Sequence, residues 1–170
     1  MKYLLSIIII FTSIHSSFSQ TQPKDSSLPY LKNPTLPPIK IIQSIQGTDT
    51  SWFTNSNLVK GKSTIIIYFS PDCGHCQFEA KEMVKERDSL TNANFVWVSY
   101  HPMEDIVAFT EKYKLSKLAN CVVGRDPKYF IPAFFRVEFT PFIAVYNAQG
   151  HFVKEFRDGA KVSELFEAIQ

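Results

Sequence analysis

Cys73 and Cys76 stand three residues apart with Gly74 and His75 between them. Two thiols at that spacing can close a disulfide on each other or supply half of a metal site. The residues before them, Ile65 to Phe69, are β-branched and apolar in an unbroken run, the pattern of a strand buried on both faces. Ser70-Pro71-Asp72 interrupts that run, and a helix-favouring segment begins near Cys73. Both cysteines are therefore expected in the first turn of a helix leaving the carboxyl end of a central strand. Unpaired N–H groups and the helix dipole favour a thiolate there.

The spacing divides the labour. Cys73, at the exposed start of the turn, is expected to attack, and Cys76, deeper on the same face, to resolve the mixed disulfide that results. His75 can place positive charge beside the Cys73 sulfur and lower its pKa. Glu79 lies three residues past Cys76, on the same side of the helix, where it can exchange a proton with that thiol. Other readings stand beside this one. A zinc or copper site would have to draw on Cys121, His101 or His151, none of which belongs to a second paired motif. A purely structural disulfide and a helix-surface Glu79 are the simpler alternatives. Redox chemistry is the preferred reading. Cys121, in the apolar stretch from Leu118 to Val123, reads as a small buried residue, inert rather than regulatory.

A net charge of +2, with both signs interspersed, carries no signature of nucleic-acid or acidic-surface binding. The 170 residues, 45% hydrophobic, suit one globular domain. At the amino terminus, Lys2 precedes an apolar run from Tyr3 to Phe11, and small and polar residues lead to Ser19. Residues 1–19 thus read as a signal peptide cleaved after Ser19, with an uncleaved signal anchor as the alternative. The apolar run falls short of a comfortable span of roughly 20 residues. No cysteine precedes Cys73, so a lipid-modified cysteine at the cleavage point is excluded. The expected location is periplasmic or extracellular, where a disulfide persists.

Residues 20–38 are Pro-rich and read as an extended linker, free or partly draped on the domain, and residues 39–170 as the domain. A hairpin is expected from Ile39 to Phe53 around a turn at Gly47, then the central strand and the cysteine helix, with Cys76, Ala80, Met83, Val84 and Leu90 as its apolar stripe. A strand from Phe95, a helix from Met103 to Leu115 and a short strand near Cys121 follow. Lys128 to Phe135 allows one or two helical turns, with Pro132 an obstacle to more. A hairpin (Phe142 to Tyr146, Phe152 to Phe156) and an amphipathic helix from Val162 to Ile169 close the chain. This order argues an α/β fold, a mixed sheet with helices on both faces.

The Cys-Gly-His-Cys helix start, the inserted βα unit at 96–123, and Thr140-Pro141 opening a hairpin strand together resemble the thioredoxin superfamily. Within it, the chain is similar to the TlpA/ResA-like branch of exported thiol–disulfide oxidoreductases, over roughly residues 39–170. The resemblance implies a thioredoxin-like fold: a central mixed sheet flanked by helices, with an inserted βα unit and an N-terminal β-hairpin. It implies that Cys73 is the nucleophile and Cys76 the resolving cysteine. Pro141 would be the cis-proline beside them, leaving the Thr140 backbone to pair with an extended substrate chain. Glu79 matches a glutamate that several ResA-like proteins carry.

The departures bear on direction. Thioredoxins proper carry a buried aspartate where this chain has Ile67. The branch often has Trp and Pro where this chain has Asp72 and His75. Cys-Gly-His-Cys is the tetrapeptide of protein disulfide isomerases, whose histidine stabilises the thiolate and makes the disulfide more oxidising. Asp72 would push the other way, unless it serves as the helix cap. The branch thus implies reduction of disulfides in protein substrates, and the tetrapeptide implies oxidation or isomerisation; reduction is the leading expectation. The reaction needs no cofactor beyond the redox-active Cys73–Cys76 pair. It does need a redox partner, and it calls for no nucleic acid and no stable membrane insertion after signal cleavage.

Copper-binding thioredoxin-like proteins are the alternative from another class, but they carry Cys-x-x-x-Cys, which is absent here. The Pro-x-x-x-Thr-x-x-Cys arrangement of peroxiredoxins is also missing, and Gln77 stands where haem attachment requires a histidine. Trp52, Phe139 and Phe142 are candidates for an apolar surface around Cys73.

Overall fold

The apolar run before the cysteines forms the central strand β3, Ser63–Tyr68, buried along its whole length in a computed structural model that describes residues 28–46 and 49–170. Strand β4 (Ala93–Ser99) lies parallel to it on one side, and β6 (Phe142–Tyr146) antiparallel on the other. Beyond β4 comes β5 (Cys121–Arg125), parallel, and beyond β6 comes β7 (Phe152–Phe156), antiparallel. The N-terminal hairpin, β1 (Lys40–Gln46) with β2 (Asp49–Thr54), joins through β1 to β5. The sheet order is β2-β1-β5-β4-β3-β6-β7.

Successive side chains of a strand point to opposite faces, so β3 feeds two cores. Ile65, Ile67 and then Phe69 pack under helices α2 (Gly74–Lys85), α3 (Met103–Tyr113) and α5 (Val162–Ala168). Ile66 and Tyr68 face the other layer, built from α1 (Pro29–Lys32) and α4 (Phe130–Phe135). Two covered faces explain why β3 reads as continuous apolar sequence rather than as an alternation. Each fully buried Ile or Phe there contributes about 1.5–3 kcal/mol. The Phe69 ring lies 4.6 Å from Phe109 and 5.5 Å from Trp97, which seats α3 beside the strand that ends at the cysteines.

Helix α4 keeps to the one or two turns expected of it, α2 is shorter than expected, and the stretch before β1 lies on the domain. Pro132 sits inside α4, but as its third residue. The first turn of a helix uses no intrahelical N–H, so the ring is tolerated. Helix α2 ends at Lys85, and Arg87–Leu90 continues as a 3₁₀ turn that still buries Leu90. Of the linker stretch, residues 20–27 lie outside the described residues, and 29–38 are draped on the domain. Tyr30 is fully buried, 5.1 Å from Phe135 and 5.2 Å from Phe152 in ring centroids, and its hydroxyl accepts a 2.9 Å hydrogen bond from Arg157. Thr35 bridges His151, and the Phe152 N–H donates to the Pro34 carbonyl. Sparse apolar residues among prolines give no periodicity to read, yet extended backbone is the form that can lie along a sheet edge. The signal peptide at 1–19 and the turn at Gly47 lie outside the described residues. Among the described residues no helix is long and apolar enough to cross a membrane.

Candidate active site

Strand β3 delivers the chain to Ser70, whose carbonyl accepts the Cys73 N–H at 3.1 Å and turns it into α2. Cys73 itself occupies the N-cap of α2, its sulfur accepting the Cys76 N–H at 3.3 Å. The cap is thus the reactive atom, and Asp72, the residue that might have capped, lies exposed. The Gln77 side chain donates to the Pro71 carbonyl at 3.0 Å and closes the turn. Across from the sulfur, the Thr140–Pro141 bond is cis, and the Cys73 thiol donates to the Thr140 carbonyl at 3.2 Å. Cys73, Cys76, Thr140 and Pro141, separated by more than sixty residues of chain, meet at the carboxyl end of β3.

The two thiols are made unequal. Cys73 is half-buried, and burial alone would raise its pKa. Hydrogen bonds from the Cys76 thiol, the Thr140 side chain and the backbone of Cys76 and His75 outweigh burial and hold it below the ordinary thiol value. Cys76 is fully buried, and burial first, then competition with Cys73, pushes its thiol up to about 12. One sulfur is open and acidified, the other enclosed and held protonated.

Glu79 lies one turn beyond Cys76 on the buried face of α2, 5% exposed. Burial, the largest influence, raises its carboxyl to about 7, against the lowering effect of the hydrogen bond that Oε2 accepts from the Ala160 N–H at 3.2 Å. Oε1 has no hydrogen-bond partner among the described residues. The loop that holds Glu79 also holds the proline, because the Gly159 N–H donates to the Pro141 carbonyl at 3.1 Å. A Cβ on Gly159 would meet Glu79 Oε2 at 2.7 Å and Pro141 Cγ at 3.4 Å, and its φ is +77°. Only glycine fits there without displacing one of the two. His75 does not turn its ring onto Cys73. Its Nδ1 pairs with Asp158 at 3.3 Å, with the two side chains 74% and 78% exposed, so only its backbone N–H acts on the sulfur.

The structure therefore brings together Cys73, Cys76, His75, Glu79, Thr140 and Pro141. It adds Asp158, Gly159 and Ala160, which in sequence are only the end of a hairpin. It also adds Ser70 and His101, whose side chains are 3.1 Å apart beside the turn; nothing in the sequence distinguishes that histidine from an ordinary loop residue. Of the three aromatic candidates, Phe139 is 72% exposed next to Thr140, whereas Phe142 is buried and Trp52 stands on the edge strand β2, with three strands between it and β3. Cys121 begins β5 level with Ile65 through Phe95, far down the strands from the cysteine turn. Burial pushes its thiol up to about 12. Among the described residues no group of three or more His, Cys, Asp or Glu is placed to hold a metal ion.

Solved structures share this architecture. A secreted Mycobacterium tuberculosis disulfide oxidoreductase homologous to E. coli DsbE superposes with a TM-score of 0.61 at 19% identity, over 76% of this chain and 92% of that one. The fold is thioredoxin-like. StoA from Bacillus subtilis matches at a TM-score of 0.59 and 16% identity, over 79% of this chain and 98% of that one. A 2-Cys peroxiredoxin from Plasmodium vivax matches as well, at 0.61 and 16%, over 78% and 76%. The thioredoxin-like fold thus carries more than one thiol chemistry, and the site has to decide between them. No family profile and no curated protein sequence matches the chain.

Proposed function

We propose that this protein is an exported thiol–disulfide oxidoreductase of the TlpA/ResA-like kind that reduces disulfides in protein substrates. The observation that carries the reading is the inequality of the two thiols: Cys73 open and lowered, Cys76 enclosed and raised to about 12. The Cys73 thiolate attacks a substrate disulfide, forming a mixed disulfide and releasing one substrate thiolate, which takes a proton from solvent. Cys76 then passes its proton to the Glu79 carboxylate, whose raised pKa suits it to accept and return protons near neutrality. The Cys76 thiolate attacks the Cys73 sulfur and frees the second substrate thiol. The protein is left as the Cys73–Cys76 disulfide, two electrons have passed to the substrate, and an external dithiol must restore it. Substrate main chain docks along Thr140-Pro141.

The same atoms run in reverse would make an oxidant or isomerase, and His75 is the residue that would favour it. The His75 ring nitrogen is engaged with Asp158 rather than with the Cys73 sulfur, which weighs for reduction. The secreted relative in fold, together with an apolar leader from Tyr3 to Phe11, supports export. Equilibration of the protein in graded glutathione buffers, with free thiols alkylated and counted by mass, tests the direction. A potential near about −270 mV or lower is expected, and one near about −180 mV or higher would make it an oxidant or isomerase.

A further inference from the structure

We infer that the groove between α2 and α5 binds a basic segment of the substrate polypeptide, flanked by apolar residues, beside the cysteine being reduced. The inference rests on the oxidoreductase reading and adds to it what the protein selects. The groove has a volume of about 1090 Å³, and His75 and Pro141 in its lining are chain neighbours of Cys76 and Thr140, so it lies beside the cysteine turn with room for several residues of chain.

Its chemistry is one-sided. Glu82 and Glu86 line it from α2, Asp158 and Glu164 from the facing loop and helix, and Lys161 is the one lysine among the lining residues. Lys85 spans Glu82 and Glu86 at 3.5 and 3.6 Å along the edge, which reduces the negative charge without cancelling it. The chain as a whole carries +2, so the groove reverses the sign of the molecule where the substrate must approach. A second observation points to an occupant. Glu79 lines the groove with Oε1 buried and without a hydrogen-bond partner among the described residues. That unpaired oxygen adds to the acidic character of the groove wall, to which a substrate lysine or arginine is the complementary charge. Phe78 and Phe166, 64% and 43% exposed, line the same groove from the two helices. Carboxylates alone would suit a metal ion, but carboxylates framed by phenylalanines suit a polypeptide with cationic and apolar side chains.

Fluorescent nonapeptides test this, each with serine in place of the cysteine and with Lys, Gln or Glu on both sides of it. Anisotropy with the reduced full-length protein at about 0.05 M salt should give a Kd for the Lys peptide at least about tenfold below that for the Glu peptide, and a difference that shrinks in about 0.5 M salt. The double variant Glu82→Gln/Glu86→Gln should weaken the Lys peptide by about fivefold, while the charge-matched Glu104→Gln/Glu111→Gln on α3 should not. Equal binding of the three peptides, or equal losses in the two double variants, overturns the inference. Turnover of hydroxyethyl disulfide, too small to need the groove, separates it from its premise. Turnover with charge-blind binding defeats the groove alone, and charge-selective binding without turnover defeats the oxidoreductase reading.

Discussion

Cys73 and Cys121 are both half-buried, and both pack against the core shared by α2, α3 and α5. Partial exposure of the residue is common to both; the depth of the sulfur and the donors around it are not. Cys73 stands where a strand gives way to a helix, so N–H groups without intrahelical partners converge on its sulfur and lower its pKa despite burial. Cys121 opens a strand whose backbone groups are engaged in the ladder with β4, nothing among the described residues donates to its sulfur, and burial acts alone to raise it to about 12. Reactivity in this molecule follows the supply of donors together with the depth of the sulfur, and the fold combines donors with access at one end of the sheet.

The largest test of that contrast is substitution. Cys73→Ser should reduce disulfide turnover by on the order of a thousandfold or more, because no other group can form the mixed disulfide. Cys121→Ala should leave turnover within about a factor of two and cost about 1 kcal/mol of stability through lost packing. Comparable losses in the two variants would break the contrast.

Glu79 sharpens it on the acid–base side. Its carboxyl titrates near 7 in the folded chain and at about 4.5 unfolded, so the folded state holds the extra proton between those values. Stability should therefore fall as pH rises from about 4.5 to 7, by up to about 3 kcal/mol, and level off above. Glu79→Gln should remove that slope in urea-unfolding series and also slow the second step, leaving mixed disulfides to accumulate. A slope unchanged by the substitution would show that another group titrates there.

Much of this arrangement was legible in the sequence because local patterns encode it. The apolar run before Cys73 needed two covered faces, and the Cys-x-x-Cys spacing needed a helix start. Thr140-Pro141 could be matched to the site through the family resemblance. The loop at Asp158 to Ala160 was not legible. Its contacts to Glu79 and Pro141 are made through backbone N–H groups, which leave no side-chain signature. Tyr30 was hidden for a different reason: one aromatic among prolines has no period, and its burial depends on Phe135 and Phe152, distant in sequence.

Smaller effects refine the picture at that loop. Gly159→Ala should lower stability by about 2 kcal/mol, from the positive φ and the crowding of Glu79, and shift the pH profile of turnover with it. Thermal unfolding and a pH–rate curve check both, and a variant indistinguishable from the parent would dissociate the loop from Glu79. Asp158→Asn should release the His75 ring and make the disulfide more oxidising by less than about 30 mV, since both partners are solvated. A larger shift, read in glutathione buffers, would mean that His75 acts on Cys73 more directly than its pairing allows.

The most direct measurement of the central claim is the pH dependence of alkylation by iodoacetamide in the reduced native protein, with each cysteine followed by peptide mass. The account predicts that Cys73 reacts first, with a midpoint below that of an ordinary thiol, while Cys76 and Cys121 stay unlabelled until the chain is unfolded. Labelling of Cys76 or Cys121 at the rate of Cys73 would contradict it.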